Sequence, residues 1–193
     1  MARPRAFDAG RALDAALATF WAQGYHATSL PDLLAAMGIG RSSFYHAFAG
    51  KHELLLAALD RYDARVFGAI ARRFERPGGG GQAIADMLDG LVNAAAGGDR
   101  RGCFAGNCAV ELAPHDGKVA GRVRAGLDHL AQGFAAAVRG AQAQGEIEPT
   151  RDADALAAFL VCVAEGLQVL AKAGADRATL QAARATALAA LAS

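Results

Sequence analysis

Apolar residues recur at helical spacing along this 193-residue chain, and no segment alternates apolar and polar residues as a strand does. Alanine makes up about a quarter of the residues, whereas isoleucine is scarce and aromatic residues amount to 7%. Alanine favours helix, and strands prefer β-branched and aromatic side chains. Because 53% of the residues are hydrophobic, the chain can bury a core. The sequence therefore predicts an all-α globular protein.

Glycine and proline divide the helical pattern into nine segments. They are predicted at 8–23, 30–37, 41–48, 51–76, 82–96, 102–113, 118–144, 153–173 and 176–191. Ser29 and Asp32 have the spacing of a capping box, with Pro31 in the first turn, so a helix is predicted to begin there. The glycine run at 78–81, after Pro77, predicts a flexible loop.

The second and third segments are short and are joined by the turn residues Gly38, Ile39 and Gly40. Two helices joined by such a turn, with a preceding helix to pack on, are typical of a helix-turn-helix unit. We therefore expect two domains: a three-helix module at residues 1–50, and a larger helical domain at residues 51–193.

The third segment combines cationic and hydrogen-bonding side chains. If Phe44 and Phe48 turn toward the core, one face is left open. That face carries Arg41, Ser42, Ser43, Tyr45 and His46. Arginine and serine can bond base edges or phosphates, and tyrosine and histidine can hold backbone oxygens, so the face suits a DNA groove. A solvated face on an ordinary helical bundle remains an alternative at this point.

Charge supports a DNA-binding role only locally, because the net charge of the chain is +1. Residues 1–52 carry five Lys or Arg against three Asp or Glu, and Arg3, Arg5 and Arg11 lie in this part of the chain.

The stretch from Thr28 to Leu55 resembles the signature of TetR-family transcriptional regulators, and residues 20–25 resemble the end of the family's first helix. The resemblance implies a double-stranded DNA operator, a small-molecule effector and a homodimer, with no cofactor. It also implies phosphate contacts from Thr28, Tyr45 and Lys51. Groove contacts are implied for Arg41, Ser42, Ser43 and His46.

The segment after Arg100 and Arg101 is the most individual part of the larger domain. It resembles a helix start found in one subgroup of TetR-like proteins, some of which answer to electrophiles or oxidants. Cys103 beside two arginines at a helix start is expected to have a lowered pKa and to react before Cys108 and Cys162. The alternative is a small buried core residue. Cys103 and Asn107 are predicted to contact the effector.

The segment at 153–173 is apolar nearly all round, which predicts burial on most sides and a dimer interface that includes Leu160. Its longest apolar run, 155–164, stops at Glu165 and is too short to cross a membrane, so no transmembrane helix is predicted. Three cysteines without disulfide spacing, and no secretion signal, predict a cytoplasmic protein.

The sequence shows no catalytic constellation, so an enzyme is not predicted. Gly38 and Gly40 follow a helix and lack the third glycine of a dinucleotide loop. The residues that could gather a metal are Cys103, Cys108, Glu111, His115 and Asp116, but the two cysteines are five residues apart and do not share a helix face, so no metal site is predicted. The competing class is a helical small-molecule binding protein that does not bind DNA.

Overall fold

The computed structural model describes residues 8–74 and 80–192. Within these ranges the chain is helical and contains no strand, so the all-α prediction is confirmed. The helices are α1 (Ala9–Gln23), α2 (Leu30–Met37), α3 (Arg41–Ala47), α4 (Lys51–Tyr62), α5 (Gly68–Phe74), α6 (Gly80–Ala96), α7 (Phe104–Glu111), α8 (Gly117–Ala143), α9 (Ala153–Lys172) and α10 (Arg177–Ala192). A π-helical turn, Asp63–Phe67, joins α4 to α5 without a break. If α4, the π-helical turn and α5 are counted as one helix, the described ranges contain nine helices.

Local capping signals set the ends of the first helices. The Asp8 carboxylate accepts hydrogen bonds from the amides of Gly10 and Arg11 at the start of α1. Ser29 and Asp32 form the predicted capping box of α2, which ends at Gly38 with a left-handed φ of 66°. These bonds satisfy backbone groups that a helix end leaves without partners, so α1 and α2 begin close to the predicted positions.

Helices α1 to α3 form a head that joins the larger domain through α4. Helix α1 packs against α2 and α4, and Asp14 on α1 forms ion pairs with Arg61 and Arg65. In the larger domain α8 packs against α5, α6 and α9, and α10 packs against α6 and α9. The largest fully buried side chains, among them Phe20 in the head and Phe134 in α8, form a core that is continuous through both parts.

The predicted loop at 78–81 is wrong at its end, because α6 begins at Gly80. A Cβ at Gly80 would collide with the carbonyl oxygen of Ala137 and the amide nitrogen of Ala141. Glycine is therefore required here for the close approach of α6 to the backbone of α8. Residues 78 and 79 of the predicted loop, and Pro77 before it, lie outside the described residues.

Helix α9 is longer than the ten-residue apolar run on which the prediction of no transmembrane helix was based. Its 20 residues are apolar enough to cross a membrane by length and composition only, a test that the core helix of a soluble protein also passes. Only 28% of its most apolar stretch is buried within the chain. One face of α9 packs on α6, α8 and α10, and another carries the exposed Phe159, Val169 and Leu170.

Candidate DNA interface and effector cavity

Helix α3 presents its polar side chains to solvent. Arg41, Ser42, Ser43, Tyr45 and His46 are all exposed, whereas Phe44 between them is fully buried. The ring of Phe44 packs against Phe48, with 5.9 Å between the centroids. These two rings hold the helix on the core, and the five polar residues form one surface, which we call the α3 face.

Thr28 does not join this surface. Its side chain is buried, and its hydroxyl donates a hydrogen bond to the carbonyl oxygen of Gly24 at 2.6 Å. The predicted phosphate contact from this side chain is therefore not supported by its position. The hydroxyl instead ties the end of α1 to the start of α2.

Lys51, the third predicted phosphate contact, lies half-buried at the start of α4. Its Nζ lies 4.2 Å from the centroid of the Tyr25 ring, and burial lowers the pKa of its ammonium group. A phosphate would have to compete with this cation–π contact. Arg11 is exposed on α1, and Arg3 and Arg5 lie outside the described residues.

A cavity of about 940 Å³ lies between the head and the larger domain. It is bounded by the end of α1, the loop that follows, α7 and α9. Its lining comprises Trp21, Ala22, Gln23, Gly24, His26, Ala27, Gly102, Cys103, Gly106, Asn107, Ala109, Val110, Glu111, Leu127, Glu165, Gln168, Val169, Lys172 and Ala173. Most of these surfaces are apolar, as in pockets that hold small organic ligands.

The two predicted effector contacts, Cys103 and Asn107, both line this cavity. Cys103 is the N-cap of α7, and its Sγ accepts hydrogen bonds from the Gly106 amide at 3.3 Å and the Tyr62 hydroxyl at 3.5 Å. The side chain of Asn107 accepts a hydrogen bond from Lys172 Nζ at 2.8 Å.

The expected lowering of the Cys103 pKa is wrong. Burial, with the Glu165 carboxyl group nearby, raises the pKa of this thiol to about 12. The nearby Arg101 pairs with Asp99 and stacks over Trp21. Desolvation destabilises the thiolate more than the N-terminus of α7 stabilises it. The surroundings of Cys103 are therefore those of the alternative, a small buried core residue.

The other two cysteines differ in exposure. Cys108 is buried, and burial raises the pKa of its thiol to about 12. Cys162 is exposed on α9 of the single chain. No group of three or more histidine, cysteine or acidic side chains suited to a metal ion occurs in residues 8–74 and 80–192.

Sequence reasoning considered Glu111 only as a possible metal ligand and missed its role, which is to link the cavity to the head. Its Oε2 accepts a hydrogen bond from the Tyr25 amide at 3.1 Å, and its Oε1 accepts one from the His26 amide at 2.8 Å. Both amides belong to the loop between α1 and α2. An isolated glutamate at the end of a short helix carries no signal in sequence that would have identified this contact.

Sequence reasoning also passed over Glu165, treating it only as the end of an apolar run. Its side chain lines the cavity, and burial raises the pKa of its carboxyl group. Its sequence position could have indicated this, because it is a single carboxylate in the middle of an otherwise apolar helix. Such a group is rarely buried unless it has a partner or a function.

The model for bacterial regulatory proteins of the tetR family matches residues 12–58, and the model for a tetracyclin repressor-like C-terminal domain matches residues 80–187. The second model alone covers more than half of the chain. The chain belongs to the TetR family. It is a DNA-binding transcriptional regulator, which decides against a helical binding protein without a DNA partner.

Curated relatives and solved structures are similar to this TetR-family chain over most of its length. The HTH-type transcriptional repressor ComR of Escherichia coli strain K12 is 35% identical over 90% of this chain and 84% of its own. The regulator YezE of Bacillus subtilis strain 168 is 34% identical over 94% of both chains.

Among solved structures, a cysteine mutant of the TetR family regulator CifR, complexed with 26-bp double-strand operator DNA, is 30% identical. It matches with a TM-score of 0.85 over 98% of this chain and 100% of its own.

Proposed function

We propose that this regulator is a homodimeric repressor that binds a palindromic operator through residues 1–50 and is released when an effector enters the cavity. The observation that carries the proposal is that one cavity is walled by both the head and the larger domain, including Trp21 from α1 and Glu111 from α7. A ligand there contacts the DNA-binding head directly. Cytoplasmic localisation follows from the proposal, since the operator lies on the chromosome.

The α3 face supplies the proposed groove contacts. Arg41, Ser42, Ser43 and His46 are placed to meet base edges, and Tyr45, which is 52% exposed, to meet a phosphate. In a dimer the two α3 helices enter successive major grooves, so half-site centres are expected about 34 to 36 Å apart or a multiple of that distance.

Selection of bound duplexes from a random library, followed by footprinting, tests the operator proposal. Arg41→Ala is expected to weaken binding and change the preferred base, whereas Tyr45→Phe weakens binding to all sequences. Arg124→Ala removes the same charge from an exposed position on α8 and serves as the matched control. A complex with no sequence preference that Arg41→Ala and Tyr45→Phe both leave unchanged would contradict the proposal.

The dimer interface is proposed for the exposed face of α9. Phe159 is 40% exposed, Val169 64% and Leu170 40%, and Cys162 lies on the same face. Leu160, which the sequence placed at the interface, is fully buried within its own chain, because the packing of α9 on its neighbours turns that side inward. A substitution at Leu160 therefore tests the folding of the single chain and does not test dimer formation.

Light scattering of Phe159→Glu tests the interface. A charge placed on the proposed contact face should yield a folded monomer with reduced operator affinity, because the buried carboxylate would have no partner. Ala69→Glu places the same charge on an exposed residue of α5, outside both the cavity and the α9 face, and should remain dimeric. A wild-type monomer at micromolar concentration would refute the interface.

Two connections can carry the effector signal to the head. The first is the Glu111 carboxylate, which holds the loop between α1 and α2. The second is α4, where His52 Nε2 lies 2.6 Å from the Asp116 carboxylate at the N-cap of α8. A ligand that favours one arrangement of these contacts shifts the relative position of the two heads in the dimer.

A further inference from the structure

Two cavities meet at Trp21 and Lys172. The cavity described above, which we call the apolar cavity, adjoins a second one of about 620 Å³, and both are lined by these two side chains. The second cavity is also lined by Asp99, Arg100 and Arg101, from the loop between α6 and α7. We call it the basic cavity, because its wall carries three cationic side chains and one carboxylate.

The protein neutralises only part of the positive charge of the basic cavity. Of its three cations, only Arg101 forms an ion pair within residues 8–74 and 80–192, and the partner is Asp99. Arg100 Nη1 lies beside the end of α9, 3.6 Å from the position that a Cβ of Gly174 would occupy. The C-terminus of a helix carries about half a negative charge, which is less than the two charges of Arg100 and Lys172. The basic cavity therefore keeps positive charge that an anion can neutralise.

Lys172 is held at the junction of the two cavities and still has donors to offer. Its Nζ donates to Asn107 Oδ1 at 2.8 Å, and the Asn107 amide group donates to the carbonyl oxygen of Arg101 at 2.9 Å. An ammonium group has three N–H donors, so two remain for a ligand. Because the Lys172 side chain is exposed and lines both cavities, a ligand that extends from one into the other contacts it.

The two carboxyl groups in the wall of the apolar cavity add little negative charge at this junction. Burial raises the pKa of the Glu165 carboxyl group, which favours its neutral form. Glu111 offers its two oxygens to the amides of Tyr25 and His26, on the side of the head. Most of the remaining wall is apolar and suits a hydrocarbon chain.

We propose that the effector is an amphipathic anion, whose hydrocarbon part occupies the apolar cavity and whose carboxylate or phosphate group binds Lys172 and Arg100 in the basic cavity. The anionic oxygens accept charge-assisted hydrogen bonds from the ammonium and guanidinium groups. This inference deepens the proposed function, because it assigns a chemical class to the effector, and it rests on that function for the link to DNA release.

Titration of the full-length protein with n-octanoate, n-octyl phosphate, n-octanol and n-octylammonium tests the assignment. Trp21 is the only tryptophan of the chain and lines both cavities, so its fluorescence reports occupancy. We expect at least one anion to bind about tenfold or more tightly than octanol, because charge-assisted hydrogen bonds separate the two. The anion that binds more tightly identifies the head group, and octylammonium should bind most weakly.

Charge-removing variants test which residues bind the head group. Lys172→Gln keeps a donor for Asn107 and removes the charge, and Arg100→Gln removes the second charge. Each variant should reduce the preference for the anion, and the double variant should abolish it while octanol binds as in the wild type, which also shows that the variant folds. Arg124→Gln removes a positive charge from an exposed position on α8 and should change none of the affinities. If neither anion binds the wild type more tightly than octanol, or if the double variant keeps the preference, the inference is overturned.

The same titrations in the presence of operator DNA separate this inference from the proposed function. If an anion requires Lys172 and Arg100 yet leaves DNA binding unchanged, the release mechanism fails and the anion site stands. If octanol releases DNA from the wild type as effectively as either anion does, the release mechanism stands and the anion assignment fails.

Discussion

Glu111→Gln isolates the contact between the cavity wall and the head. The carboxylate offers each of its oxygens to one backbone amide, at 3.1 Å from Tyr25 and 2.8 Å from His26. A glutamine offers one oxygen and one NH₂ group, so one amide loses its acceptor. The other bond changes from charge-assisted to neutral.

The size of the effect follows from these two bonds. A hydrogen bond to a charged group contributes about 1.5–3 kcal/mol and a neutral one about 0.5–1.5 kcal/mol. Glu111 is half-buried, so water replaces part of the loss, and we expect the loop to be destabilised by about 1–2 kcal/mol. That corresponds to a factor of roughly 5 to 30 in the equilibrium for local opening.

Amide hydrogen exchange measures this opening directly. The amides of Tyr25 and His26 should exchange faster in Glu111→Gln by about the same factor, roughly 5 to 30. Amides in α8 should be unaffected, and Glu148→Gln, which removes the same charge from an exposed position outside the cavity, should leave all of them unchanged. If both amides exchange at the wild-type rate in a folded variant, the carboxylate does not hold the loop and cannot couple cavity to head.

Three further outcomes are expected. Phe44→Ala should lower the free energy of unfolding by about 3–5 kcal/mol in urea titrations and abolish operator binding, because the buried ring anchors α3. Gly80→Ala should lower the thermal midpoint of unfolding, because the added methyl group collides with the backbone of α8. Gly90→Ala on α6 has open space around the added methyl group and should raise the midpoint slightly. Equal shifts in the two variants would refute this. Maleimide at neutral pH should label Cys162 rapidly only in the monomeric Phe159→Glu variant. Labelling of Cys103 should remain slow in both proteins and accelerate toward pH 12, because burial raises the pKa of its thiol to about 12.

The sequence alone was sufficient for the features that depend on near neighbours along the chain. The capping box of Ser29 and Asp32, the stop at Gly38, and the exposed polar side chains around Phe44 were all predicted and are present. Each arises from residues within about four positions of one another, where helix geometry fixes which side chains meet. The family resemblance over residues 28–55 has the same local origin.

Only the tertiary structure decided the properties that depend on distant residues. Cys103 sits at a helix start as predicted, yet burial beside Glu165 of α9 reverses the direction of its pKa shift. Leu160 turns inward, and Gly80 belongs to a helix, because of how α9 and α8 pack on their neighbours. Desolvation and close packing are set by which helices meet in space, and a helical pattern shows that a residue is on a face without showing what covers it.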